Sequence, residues 1–353
     1  MKKSLVALAV LAASGAALAQ VSIKGQLMAG FKSFNHGPVG VVDGGVTAGS
    51  SGFGVDTAEV TFSATEDLGG GMKAGASMGL VNVVRGAGTG FTQGSNAGLA
   101  GNFGPANSSV YVSGDFGRVT IATARGSDYL TGGVAFVGGT YQDGRALSTR
   151  DSSDSVAWSM PMGPVAVSLT YSEPNNYLGL GAGTSGANSG TTSGAVANSQ
   201  SSIALGLRYT DGPLVADFGY TMYDEGDTAT DRGDKSNVRF AGSYDFGAFK
   251  LGGGWTQRAG KVGTRTDMGF SAAVPMGALT LGANWVQRNL SDFRDANVDV
   301  VNVGYGLSAT YALSKRTALI ADYTAYTGSN GGVAANNNRD MSGIYNLLLS
   351  HSF

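Results

Sequence analysis

Residues 238–256 read VRFAGSYDFGAFKLGGGWT, two alternating segments joined by a tight turn. Val238, Phe240, Gly242, Tyr244 and Phe246 alternate with Arg239, Ala241, Ser243 and Asp245. Beyond the turn, Phe249, Leu251, Gly253 and Trp255 alternate with Lys250, Gly252, Gly254 and Thr256. A period of two places the sets on opposite faces of a β-strand, one apolar and aromatic, the other small, polar or charged. Asp245-Phe246-Gly247 supplies the side-chain hydrogen bonds and permissive backbone that reverse a chain within a few residues.

The same unit recurs along the chain. Ile203, Leu205, Leu207 and Tyr209 alternate with small or polar residues, as do Val165, Val167, Leu169 and Tyr171. Short turns fall at 66–71, 115–117, 161–164, 211–213, 245–247, 275–277 and 313–315. Between them lie longer polar segments rich in Gly, Ser and Asn, at 35–54, 85–107, 126–153, 174–200, 225–236, 259–266, 290–299 and 328–342. Seven short turns alternating with eight long segments require sixteen strands. Short turns on one side and long loops on the other is the asymmetry of a transmembrane β-barrel.

A soluble antiparallel sandwich would show the same alternation. Three features favour the barrel. The strands run about ten residues, the length of a tilted bilayer crossing. Phe31, Tyr171, Tyr209, Phe246, Trp255, Trp285 and Tyr345 are expected at strand ends, as interfacial girdles. The last segment alternates through Tyr345, Leu347, Leu349 and His351 to Phe353. An open sheet edge in lipid leaves backbone groups unpaired, so the strand at 343–353 must pair with the one at 21–34. The fold class is therefore all-β: a single antiparallel transmembrane barrel of about sixteen strands over residues 20–353, with short periplasmic turns and long extracellular loops.

Residues 1–19 carry a separate message. Lys2 and Lys3 precede an apolar run from Leu5 to Leu11, and Ala17-Leu18-Ala19 forms a small-residue cleavage site before Gln20. That is a secretory signal, too short for a membrane-spanning helix. Its removal leaves 21 basic against 25 acidic residues, a mature charge of about −4. The absence of cysteine excludes disulfides, and the absence of a basic excess argues against nucleic acid as a partner. A mean hydropathy of +0.02 suits strands whose two faces average to neutrality.

Residues 65–74 (TEDLGGGMKA), residues 108–120 (SSVYVSGDFGRVT) and the terminal strand ending in Phe353 resemble the general porins of Gram-negative outer membranes, in particular their β-proteobacterial branch. The resemblance covers nearly all of the mature chain. It implies a homotrimer of sixteen-stranded, water-filled barrels in the outer membrane, surrounded by lipid and lipopolysaccharide. It also implies that Phe353 is presented to the barrel-assembly machinery. The third long loop, 126–153 here, would fold inward as a constriction, carrying Asp128, Asp143, Arg145, Arg150 and Asp151. The sequence departs from the family where members often place arginines on the second strand: it has Glu59, Thr61 and Ser63 at that phase.

By strand phase Lys24, Lys73, Arg85, Arg208, Arg239, Lys250, Arg258 and Arg288 are expected to face the lumen, against Glu59, Asp217, Asp245 and Asp322. Fixed charge in a narrow pore concentrates counter-ions, so this imbalance implies a weakly anion-preferring diffusion channel for small hydrophilic solutes and ions. Arg208, Arg239, Arg258 and Arg288 would stand across from Asp128 and Asp143.

No catalytic constellation is visible. His36 lies in the first exterior loop and His351 on the outward face of the last strand, so they share no site. No His/Cys cluster suggests a metal, and nothing asks for a cofactor. The acidic stretch from Asp224 to Asp234 reads as a solvated loop. Two other readings compete with the general channel: a substrate-preferring porin, and an adhesin or surface antigen acting through its loops. Aromatic residues fall mainly on the outward phase, which disfavours a sugar track. A plugged adhesin would conduct little.

Overall fold

The computed structural model describes residues 20–35, 50–81, 104–125, 130, 134–140, 142, 146–147, 152–173, 200–225, 233–292, 299–327 and 341–353. The secretory signal expected at 1–19 lies outside them. Sixteen strands form one closed antiparallel barrel. They are β1 (Gln20–Asn35), β2 (Ser50–Gly69), β3 (Met72–Val81), β4 (Gly104–Gly114), β5 (Gly117–Arg125), β6 (Ser152–Met162), β7 (Val165–Ser172), β8 (Ser202–Asp211), β9 (Leu214–Tyr223), β10 (Asp234–Asp245), β11 (Lys250–Gly260), β12 (Thr264–Met276), β13 (Leu279–Ser291), β14 (Asp299–Ala312), β15 (Thr317–Tyr326) and β16 (Ser342–Ser352). Each strand pairs with its sequence neighbours, and β16 returns to β1.

The turns form because glycine accepts a backbone conformation closed to other residues. Gly117, Gly163, Gly212, Gly247 and Gly277 all have φ between +52° and +92°. They gather the short connections at one rim. The opposite rim departs from expectation at 259–266, which is not a long loop. β11 runs on to Gly260, and Lys261-Val262-Gly263 returns the chain to Thr264. The Gly260 N–H donates to the Gly263 carbonyl at 3.0 Å, with Gly263 at φ +67°. Trp255 and Trp285 stand in the middle of β11 and β13 and not at a rim, correcting their assignment to a girdle; for Trp255 the added length of β11 is the cause. There they extend outward rows of rings, Phe240 beside Trp255 and Phe270 beside Trp285. Tyr244, Phe246 and Phe249 do cluster at the short-turn rim.

Outward positions such as Ile121, Phe270, Leu307 and Leu347 are exposed apolar residues, and the bilayer is their solvent. The buried apolar residues lie inside the barrel. Leu130, Val134 and Ala135 pack against Ala241 and Val215, and Ala146 and Leu147 against Val286, Tyr326 and Ile344. The described residues of the third long loop thus lie within the barrel, on the inner faces of β9, β10, β13, β15 and β16.

One register shift alters the lumen face. A bulge between Met28 and Ala29 of β1 leaves Asp56 of β2 without a direct partner. Strict alternation puts Asp56 on the outward phase; the extra residue re-aims it. Its carboxylate instead reaches Lys32 Nζ at 2.7 Å.

The seam closes beyond β16 itself. Phe353 and Gly25 exchange two backbone hydrogen bonds of 3.0 Å, and the Phe353 ring lies over Gly25. A side chain at Gly25 would collide with that ring and with the Glu59 carbonyl, 2.8 Å from the added Cβ. Gly25→Leu should therefore destabilise the closed barrel by about 1–3 kcal/mol. The expected observation is a lower unfolding temperature for the compact band on unheated gels, with the same shift absent in Gly52→Ala, where a Cβ meets nothing within 4 Å.

Candidate functional site in the lumen

The inner wall from β8 to β13 carries a ladder of arginines, because inward phase on these strands coincides with Arg208, Arg239, Arg258, Arg265 and Arg288. Three aspartates interleave with them. Asp217 lies 3.7 Å from Arg208 Nε and 3.9 Å from Arg239 Nη1. Asp234 lies 3.1 Å from Arg258 Nη1. Asp267 lies 3.5 Å from Arg265 Nε and takes Arg288 in a two-pronged contact, 2.7 Å to Nε and 2.8 Å to Nη2. Five arginines share three aspartates, and Asp245 and Lys250, opposite each other in register, offset one another, so this wall is net positive.

The arginines are not equivalent. Arg208 is 54% exposed to the lumen, whereas Arg288 is 2% exposed. Arg288 points inward, but it is covered, and its charge is spent on Asp267. Paired, fork-like geometry is what makes such burial tolerable; removing one partner strands the other charge at a cost of about 3–5 kcal/mol. The expectation that Arg288 faces the channel water beside Arg208 is corrected accordingly.

The remaining wall is less one-sided. Lys24 registers opposite Thr61, and Glu59 opposite Gln26 and Val81, both exposed to the lumen. Lys32 and Asp56 neutralise each other. Asp322 accepts a hydrogen bond from Asn346 Nδ2 at 2.8 Å. Arg118 stacks over the Tyr111 ring at 4.0 Å, and Arg258 over Tyr223 at 5.3 Å. Each pairs a cation with a ring face, an attraction worth about 0.5–2 kcal/mol.

Several expected residues lie outside the described ones: Arg85, Asp128, Asp143, Arg145, Arg150 and Asp151, as does His36. Others escaped the sequence reading. A loop at 259–266 hides Arg265 and leaves Asp267 without a face, although Arg265, Asp267, Gly269, Ser271 and Ala273 alternate cleanly once the turn is placed at 261–263. Lys32 keeps the phase of Lys24 and was legible in the same way. Asp56 was not, since the bulge is invisible to a period-two count.

Asp234 corrects the solvated-loop reading of its segment. It is 4% exposed and begins β10. Gln200 holds it in place: its Nε2 donates to the Asp234 carbonyl at 2.8 Å and the Asp224 carbonyl at 2.6 Å, and its Oε1 accepts from the Asp234 N–H at 2.7 Å. Among the described residues, no three His, Asp or Glu side chains gather as they would around a metal ion.

The family model of the Gram-negative porins matches residues 4–331. Outer membrane porin protein 32 of Delftia acidovorans is 32% identical over 277 residues, 72% of this chain and 68% of that protein. Among solved structures, the anion-selective porin from Comamonas acidovorans shares the fold with a TM-score of 0.65 at 18% identity, over 95% of this chain and all of that one. The trimer form of OmpT, an outer membrane protein of Vibrio cholerae, does so with a TM-score of 0.62 at 13% identity, over 95% of this chain and 99% of that one. A closed sixteen-stranded barrel with a charged inner wall, a sequence relative of the same class and a family match over most of its length place this chain in the Gram-negative porin family, as a channel of the outer membrane.

Proposed function

We propose that the channel passes small hydrophilic solutes and ions by passive diffusion with a weak preference for anions. The observation that carries this reading is the wall of five arginines sharing three aspartates on β8 to β13. A surplus of fixed positive charge beside a narrow aqueous path raises the local concentration of anions. Arg208 and Arg239 supply the field, with Asp217 as their shared counter-charge; Lys24 adds to it, and Glu59 and Asp322 oppose it. Arg258 and Arg288 act mainly through their pairs. The fold is also that of the anion-selective porin from Comamonas acidovorans, which agrees with the sign.

The working unit in this reading is a homotrimer joined through the early strands. Ala58, Ala64, Ala74 and Ala76 form a patch of small residues on the outward face of β2 and β3, beside the larger Phe62 and Met78, whereas Phe240 and Tyr244 on β10 are bulky. Small residues permit close approach between subunits, while lipid accepts bulk. An outward hollow of about 720 Å³, lined by Ala64, Ala76, Val110, Ile121 and Val156, lies across these strands. Asp154 hydrogen-bonds Thr123 on the same face, where a carboxylate is better covered by protein than by lipid. Lipid and lipopolysaccharide surround the remaining face, and Phe353 is the aromatic end offered to the barrel-assembly machinery.

Four measurements test these statements. In a potassium chloride gradient, the wild-type reversal potential should lie on the chloride side; a potassium preference contradicts the charge assignment. Arg208→Gln with Arg239→Gln should lower the chloride-to-potassium permeability ratio by about twofold, and more at low salt, where screening lengths exceed about 10 Å. In sedimentation, unheated protein in mild detergent should run as a trimer, and a monomer contradicts the interface. Phe353→Ala should reduce the amount of assembled channel in the outer membrane while leaving unit conductance unchanged; normal amounts of a poorly conducting channel would contradict the assembly role.

A further inference from the structure

The inward loop lies on a surface made for it. Hydrogen-bond register lines up two rows across β11 to β14: Gly254, Gly269, Val286 and Gly304 in one, and Gly252, Ser271, Asn284 and Gly306 in the next. Gly282 lies beside them, in register with Ser308. An added Cβ at Gly254 would stand 2.6 Å from Leu130 Cδ1 and 3.1 Å from the Ala135 Cβ. At Gly269 it would stand 2.6 Å from the Phe136 ring, at Gly282 2.7 Å from the Gly138 carbonyl carbon, and at Gly304 2.8 Å from Gln142 Cδ. At Gly306 it would stand 2.8 Å from the Thr140 Cβ. Such separations are below van der Waals contact, so the loop can occupy this position only because these side chains are missing.

The polar members of the rows anchor the loop's backbone. Ser271 Oγ donates to the Ala135 carbonyl at 2.7 Å and accepts from the Val137 N–H at 2.9 Å. Asn284 Nδ2 donates to the Thr140 carbonyl at 2.9 Å, and its Oδ1 accepts from Gln142 Nε2 at 3.2 Å. The Ser308 hydroxyl donates to the Gly138 carbonyl. Loop backbone that has left water needs such partners.

We propose that this glycine track sets the size limit of the channel, by seating residues 134–140 and 142 flush against the wall as a fixed partition. Glycine provides the depth of the seat, and Ser271, Asn284 and Ser308 fix the loop along it. The bore is what remains between the loop's other side and the facing strands, so each methyl added under the loop pushes it toward the axis. This rests on the channel reading and not on ion preference, and the two are read out separately, by conductance and by reversal potential.

The test uses Gly282→Ala and Gly304→Ala, with Gly242→Ala as control. Gly242 faces outward, and a Cβ there meets only the Val215 carbonyl at 3.5 Å. Unit conductance of both track variants should fall about twofold, as expected when a constriction narrows. Swelling of liposomes in disaccharide should slow more than in pentose, with the reversal potential and the Gly242→Ala channel unchanged. Removing an anchor tests the seat without adding bulk to it. Ser271→Ala deletes the hydroxyl that holds the Ala135 carbonyl and the Val137 N–H, and its open level should fluctuate more than that of the wild type. If the track variants fail to assemble, this variant decides. Wild-type conductance and swelling in both track variants overturn the proposal, as does an open level in Ser271→Ala as quiet as that of the wild type.

Discussion

Inside a bilayer a backbone N–H or C=O has no water to bond, and each one left unpaired costs several kcal/mol. A sheet satisfies that demand only by closing on itself. Everything else in this porin is subordinate to closure. The first and last strands must meet, and they do so over ten register pairs from Gln26 and Ser352 to Asn35 and Gly343. The chain's final residue extends the seam by two more backbone hydrogen bonds to Gly25. Gly25 has no side chain at the one place where the Phe353 ring needs to lie.

Closure divides every strand between two solvents, and the inner face is divided again. Along β8 to β13 the inward positions carry charge, and on β11 to β14, partly on the same strands, they carry glycine with a few polar anchors. The two patterns are connected through β12 and β13. Asp267 and Arg288 stand one inward position from Gly269 and Val286, so the buried ion pair borders the surface on which the loop is seated. In the proposed reading, charge and bore have separate determinants set in one piece of sheet. Arg208, exposed to the lumen, would act on ions directly, while Arg288 holds Asp267 beside the seat of the loop.

Most of the architecture was legible in the sequence, because two simple rules govern it: a period of two in the strands and glycine-containing turns at the short rim. Where the reading failed, a local event had broken one of those rules. The three-residue turn at 261–263 resembles a loop in composition, and misplacing it hid Arg265 and Asp267. The β-bulge at Met28 and Ala29 shifted Asp56 across the sheet. Asp234 carries the composition of an acidic loop, but Gln200, thirty-four positions away, buries it. The glycines of the track stand in plain sight at inward phase. Their purpose was hidden because it depends on a loop contact more than a hundred positions distant, as between Gly138 and Ser308.

The central claim is an open aqueous channel whose partition does not move. Single-channel recording of the purified wild-type protein in a planar bilayer tests it most directly. The account predicts discrete insertion steps, a linear current–voltage relation and a quiet open level across moderate voltages. A barrel that inserts without conducting, or an open level that flickers between states as a swinging loop would make it, would contradict the account.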